Sequence, residues 1–205
     1  MPLNNTGRNA LLNSGKAGFT HVGALTDLAG TEVSGGSYAR QAVTWAAAGT
    51  PAAGQAGNTG SLTIPIPAST TVVALGLYDA LSAGNLLGFL PYGSAGQLLD
   101  GVATVSVADT FTSVGHGLAA DDRVFVSAIT GDALPTGLSA TTLYFVRATG
   151  LTADSFTLAT TSGGAAVDVT VASECAFWKT VPNTFASAGS LTVAVNALLL
   201  DATVI

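Results

Sequence analysis

Turn-forming clusters punctuate this chain, and the runs between them read as short strands, not as helical crossovers. Gly115-His116-Gly117-Leu118, Thr130-Gly131-Asp132, Leu134-Pro135-Thr136-Gly137 and Ser162-Gly163-Gly164 are among turn signals that separate short strand-like runs, as expected for a sandwich or barrel of short antiparallel strands. A parallel sheet needs connections of about a dozen residues or more, usually helical, and after the N-terminus no helix of respectable length is legible. The fold class expected is therefore all-β, an antiparallel β-sandwich of the jelly-roll or Ig-like kind.

The one helix expected lies within residues 1–17. Asn4, Asn5 and Thr6 supply capping side chains ahead of Arg8 to Leu12, and Gly15 offers a stop. So short a helix needs tertiary docking. Strands are expected at 19–25, 41–47, 61–66, 71–79 and 86–90, then at 102–107, 110–114, 123–129, 142–149, 155–159, 166–171 and 176–181. Residues 26–37 and 48–60 read as loops. Pro65 and Pro67 put strand 61–66 at an edge or mark its very end, whereas 71–79 reads as central. Residues 190–195 and 198–204 read as a closing hairpin around Asn196-Ala197.

Charge is scarce: 9% of residues against 48% hydrophobic, in a chain of 205 with 25 glycines. Average domains carry about 25% charged residues, and a free surface needs them. Part of this surface is therefore expected to be covered by other chains. The net charge of −6, with no Lys/Arg cluster, argues against a nucleic-acid partner. No run of about 18 apolar residues argues for membrane insertion, since Asn196 and Asp201 break the most apolar stretch. Residues 1–16 lack the basic start and apolar core of a signal peptide, so synthesis in the cytoplasm, with no export by a cleaved signal, is expected.

Chemistry is hard to assemble from these residues. Cys175 is the sole cysteine and reads as a buried small hydrophobe. His116 reads as a turn histidine bonded to backbone, and His21 lacks a nucleophile elbow. Asp121-Asp122 could join loop carbonyls around calcium, but without an Asp-x-Asp-x-Asp-Gly pattern it reads as a solvated acidic turn. No phosphate loop exists, because Gly15-Lys16 is followed by Ala17. Hence no enzyme activity, no cofactor and no metal are expected. Trp45 and Trp178 read as core or interface anchors, with an exposed carbohydrate platform as the alternative.

Two segments carry resemblances. Asn4-Asn5-Thr6-Gly7-Arg8-Asn9-Ala10, then Glu32-Val33-Ser34-Gly35-Gly36-Ser37-Tyr38-Ala39-Arg40-Gln41-Ala42-Val43-Thr44-Trp45, Ile66-Pro67-Ala68-Ser69-Thr70-Thr71-Val72 and Leu75-Gly76-Leu77-Tyr78-Asp79-Ala80 resemble a family of actinobacteriophage virion proteins described as tail-fibre or minor tail proteins. One departure is the short 26–31 stretch where the family is expected to have a longer loop. The second segment, about 104–172, is similar to a β module of phage tail and surface proteins. It carries Phe111-Thr112, Gly115-His116-Gly117-Leu118, Asp122-Arg123-Val124, Leu134-Pro135-Thr136-Gly137-Leu138, Leu143-Tyr144-Phe145-Val146, Ser155-Phe156-Thr157-Leu158-Ala159 and Gly163-Gly164-Ala165.

Together the resemblances imply a discontinuous base domain, residues 1–100 plus 181–205, carrying an inserted small β-barrel or sandwich at 101–180. They imply a virion structural protein, a tail-fibre or minor tail component that acts by self-assembly and packing. Its expected partners are further copies of itself, a homotrimer favoured, and other virion proteins. A capsid decoration protein and a carbohydrate-binding module for host-surface glycan are the alternatives. Trp45, Leu75, Leu77 and Tyr78 are the expected core. Gly35, Gly36, Tyr38 and Arg40 are the candidate subunit contact, with Arg40 free to pair with an acid on a neighbour.

Overall fold

A computed structural model describes residues 4–92, 101–129 and 132–201. Thr130-Gly131 of one expected turn and the end of the expected strand 198–204 lie outside them. In chain order the elements are α1 (Asn5–Gly15), a single 3₁₀ turn (Lys16–Gly18), β1 (His21–Leu25), β2 (Gln41–Ala42), β3 (Gln55–Gly57), β4 (Leu62–Ile66), β5 (Thr70–Val72), β6 (Ala74–Tyr78) and β7 (Leu86–Pro91). There follow β8 (Gly101–Val105), β9 (Phe111–Thr112), β10 (Arg123–Ala128), β11 (Tyr144–Val146), β12 (Ser155–Phe156), β13 (Leu158–Ala159) and β14 (Ser173–Thr180), and finally β15 (Asn183–Phe185), β16 (Gly189–Val193) and β17 (Leu199–Asp201). Every paired strand is antiparallel, so the chain is all-β with one short N-terminal helix. It divides into two compact units: Met1–Thr26, Gly30–Leu98 and Pro182–Ile205 form one, Asp27–Ala29 and Leu99–Val181 the other.

In the first unit, Asn4 caps α1 by accepting from Gly7 N–H at 2.9 Å. The helix buries no residue. It is held through polar side chains instead: Asn9 Oδ1 accepts from Gly54 N–H at 2.9 Å and Asn13 Oδ1 from Ala48 N–H at 3.0 Å. Beside it runs a four-stranded sheet in the order β2-β1-β6-β7. Strand β6 is buried along its whole length. Leu75 and Leu77 point into a core shared with Val22, Ile64, Val72 and Leu191.

The remaining strands of this unit form one long ribbon. β5 pairs with β15, β4 with β16 and β3 with β17. The same register is kept across the gap between two ladders, from Val72 facing Asn183 and Thr70 facing Phe185 in one to Ile66 facing Gly189 and Leu62 facing Val193 in the next. Beyond Leu62 it slips by one residue, so that Gly57 faces Leu199. The extra residue lies on the C-terminal side, in the turn between β16 and β17, where Asn196 takes φ +58°.

This ribbon corrects two expectations. Residues 190–195 and 198–204 do not close on each other as a hairpin; β16 and β17 pair with β4 and β3. The loop expected at 48–60 contains β3, because the partner that makes it a strand is more than 140 residues away. Strand β4 pairs with β16 alone among the described residues, in keeping with the edge position that Pro65 requires.

In the second unit seven strands run in the order β12-β9-β8-β14-β10-β11-β13. The outermost two, β12 and β13, are consecutive pieces of chain separated only by Thr157. The sheet therefore curls until its two edges meet, a nearly closed barrel. Its interior takes alternate residues, Ala103 and Val105, Val124 and Val126, Cys175 and Phe177, around Phe111 and Phe156. Phe111 and Phe156 stack with centroids 5.1 Å apart, and Phe177 meets Phe156 edge-on at 5.2 Å. The strand expected at 166–171 is absent. Its backbone N–H groups go elsewhere: Val167 to Leu158 carbonyl, Val169 to the Asp109 side chain, Thr170 to Thr136 carbonyl. Only a bridge from Val171 to Thr136 remains.

Candidate subunit-contact site

The segment Glu32 to Arg40 starts alongside β1, where Glu32 bridges Leu25 and Val33 N–H donates to the Ala24 carbonyl at 2.9 Å; Val33 enters the core, while the side chains of Glu32 and Tyr38 lie over β1. Two glycines make room for them. Gly23 of β1 and Gly76 of β6 face each other across the ladder. A Cβ on Gly23 would stand 2.6 Å from Tyr38 Oη and 2.8 Å from Glu32 Oε1, and one on Gly76 would stand 2.7 Å from the Tyr78 ring. The bare backbone is the floor on which two tyrosines and an ion pair lie.

The ion pair is a fork against a fork. Arg40 Nε donates to Glu32 Oε1 at 2.8 Å and Nη2 to Oε2 at 2.7 Å, the bidentate geometry that makes such pairs strong. Arg40 Nη1 donates to the Ala80 carbonyl at 2.7 Å. The guanidinium carbon sits 3.5 Å above the Tyr78 ring, a cation–π contact. Tyr38 Oη donates to Glu32 Oε1 at 2.7 Å and accepts from Ala24 N–H at 2.9 Å. The Arg40 side chain is 9% exposed and that of Glu32 24%.

Burial alone would raise the Glu32 pKa, but the hydrogen bonds from Arg40 and Tyr38 and the Arg40 charge outweigh it and hold the carboxyl below its usual range. Burial, then the bond to Glu32, pushes the Tyr38 phenol well above its ordinary value. Burial pushes Tyr78 up to about 12. At neutral pH the cluster is one carboxylate, one guanidinium and two neutral phenols.

Of the four candidate contact residues, the structure thus turns Tyr38 and Arg40 inward, and Arg40 meets its acid, Glu32, within its own chain. Gly35 and Gly36 stand out. Both are exposed and take positive φ, +87° and +58°, as a tight turn requires. Tyr38 N–H closes that turn on the Gly35 carbonyl at 3.2 Å. Glu32, Tyr78 and Ala80 completed the arrangement without any signal of spacing, since Tyr78 arrives on another strand.

The remaining candidates are bound into the fold. His116 Nδ1 accepts from Leu118 N–H at 3.0 Å, so Nε2 carries the proton towards the Ser155 carbonyl at 3.3 Å. Its ring lies edge-on to Phe156. Asp122 Oδ2 accepts from Ala119 N–H and from Lys179 Nζ, each at 2.7 Å, and Asp121 accepts from Ser162 at 2.6 Å. Cys175 is fully buried, and burial pushes its thiol up to about 12. Leu75, Leu77 and Tyr78 are buried, while Trp45 is partly buried with Nε1 donating to the Phe19 carbonyl. Trp178 stacks on Phe125 at 4.8 Å. Among the described residues no group of three His, Cys, Asp or Glu side chains is placed to hold a metal ion, and no helix is long and apolar enough to cross a membrane.

Glu32, Tyr38 and Arg40 thus spend their polar groups within the fold, while Tyr78 Oη is buried with no hydrogen-bond partner. Residues 19–112 match the family model described as "Podophage GP4 fiber I protein gp80", and this similarity supports a relationship to a phage fibre family at a coarse level. The match takes in β1 to β9. No curated protein and no solved structure matches the chain.

Proposed function

We infer that the chain is a structural component of a bacteriophage tail fibre, a minor tail protein working by packing against further copies of itself and other virion proteins. The observation that carries this reading is the fibre-family match over residues 19–112. Two features support it. Charge is sparse, at 9% of residues, and the most elaborate polar cluster spends its groups on holding a loop. A fibre protein of this kind needs no enzymatic activity.

In this reading the discontinuous unit is the base and residues 101–180 are a guest set into one of its loops. The Gly35-Gly36 tip is a subunit contact, with Tyr38 and Arg40 as positioning residues behind it. A closed homotrimer is the assembly proposed, because cyclic closure covers apolar faces.

Antibody labelling of intact particles under the electron microscope tests the address. Label along the tail fibres is the expected result. Label confined to the head would overturn it in favour of a capsid decoration protein.

A further inference from the structure

We propose that the outward face of α1 on one copy docks head-to-tail on the apolar end of the barrel of a second copy. The inference rests on the assembly reading above and names a second contact, separate from the Gly35-Gly36 tip.

On the helix, Arg8 and Leu11 stand three residues apart and so share a face. Leu11 is 49% exposed although α1 buries nothing in its own unit. Arg8 is partly buried: its Nε has no hydrogen-bond partner, and it joins neither ion pair found among the described residues. The first acid in the sequence is Asp27, so this segment carries Arg8 and Lys16 with no opposing charge of its own. A guanidinium partly withdrawn from water and left unpaired is costly, and the cost is removed when an acid arrives.

On the barrel, the β8–β9 turn and the run leading into β14 lie side by side. Val169 N–H donates to Asp109 Oδ1 at 2.8 Å, and Val105 faces Ser173. Val107 and Val171 therefore sit together at one end of the barrel, 64% and 55% exposed. Asp168, exposed, stands beside Asp109 at the same end. Between 101 and 181 there are seven acids and three bases.

Each surface thus offers what the other lacks: an exposed leucine beside an unpaired cation, and two exposed valines beside two carboxylates. The complement is a second copy rather than a second patch of the same kind, so the contact is heterologous. Such a contact closes into a ring where its rotation permits, a trimer among the possible rings.

Sedimentation velocity on the full chain and on the variants Arg8→Glu, Asp168→Arg and the double Arg8→Glu/Asp168→Arg tests the contact. The wild type is expected to associate. Each single reversal is expected to weaken association by about tenfold or more, and the double to restore most of it because the charges are swapped, not removed. Circular dichroism melts of the singles guard against misfolding, and recovery in the double is a second guard. An associating wild type whose single variants associate equally well sinks this contact and leaves the assembly reading standing. A wild type that stays monomeric at high concentration sinks both.

Discussion

Asn58 and Leu198 hold each other twice: Leu198 N–H donates to Asn58 Oδ1 at 2.9 Å, and Asn58 N–H donates to the Leu198 carbonyl at 3.2 Å. Asn58 is fully buried, and its Nδ2 donates to the carbonyls of Gly60 at 2.7 Å and Ala194 at 2.8 Å. Its own carbonyl accepts from Asn196 N–H at 3.0 Å. One side chain thus satisfies the backbone groups that the one-residue slip in the ribbon leaves without ladder partners. A buried polar group is tolerated when every bond is made.

Asn58→Ala removes the side-chain bonds and strands the Leu198 N–H, while the Ala194 carbonyl keeps its bond from Ala197 N–H at 3.1 Å. It should cost about 2–4 kcal/mol, read as a lower urea midpoint. Asn58→Asp keeps the acceptor but loses both donors and buries a charge, so it should cost at least as much. A midpoint within error of wild type for both variants would show that the slip is held by something else.

The fork between Arg40 and Glu32 gives the fold an acid-sensitive element. Because the folded Glu32 pKa is lowered, its contribution is present above the ordinary carboxylate value of 4.5 and is lost as pH falls through the folded pKa. Arg40→Met should cost about 2–3 kcal/mol at pH 7, below the full cost of a completely buried pair because Glu32 keeps some solvent. It should also flatten the decline in stability below pH 4.5. Urea titrations of both proteins at several pH values check this, and an unchanged acid slope would count against it.

Cys175 should be silent to Ellman's reagent in the folded protein at pH 8 and react fully in denaturant. With its folded pKa raised to about 12 from 9.0, the unfolded thiol ionises first. Stability from this group should therefore decline as pH rises above 9.0. Cys175→Ala should remove that part of the alkaline decline.

Gly137 tests the barrel backbone. It takes φ +103°, and a Cβ there would run into the Asp168 carbonyl. Gly137→Ala combines strain with a backbone clash and should cost about 2–4 kcal/mol, seen as a lower melting temperature. Gly35, also at positive φ but with nothing within 4 Å, should cost less when changed to Ala. The comparison separates conformational strain from crowding.

Legibility in the sequence followed the range of the determining interaction. α1 was readable because its cap is local, Asn4 to Gly7. β10 and most of β14 were readable because Val124-Phe125-Val126 and Ala176-Phe177-Trp178 are short apolar, strand-favouring runs, although β14 begins at Ser173, before the expected 176. Strand β3 was not, since Gln55-Ala56-Gly57 has no strand pattern and owes its form to Leu199–Asp201. The false hairpin at 190–204 has the same origin: two apolar runs flanking Asn196-Ala197 look like partners until the remote strands are known. In the site, Gly35, Gly36, Tyr38 and Arg40 stood out as a group, but direction was invisible. That Arg40 turns to Glu32 depends on Gly23 and Gly76 clearing the floor on two different strands.

The long ribbon imposes an order on synthesis. β3, β4 and β5 leave the ribosome early, yet the strands that pair with them begin only at Asn183. At roughly 5–20 residues per second, the N-terminal half waits on the order of ten seconds with open strand edges, long enough for those edges to find the wrong neighbour. Translation speed through the stretch between Val72 and Asn183 is then a determinant of yield, and slow codons there would lengthen the exposure.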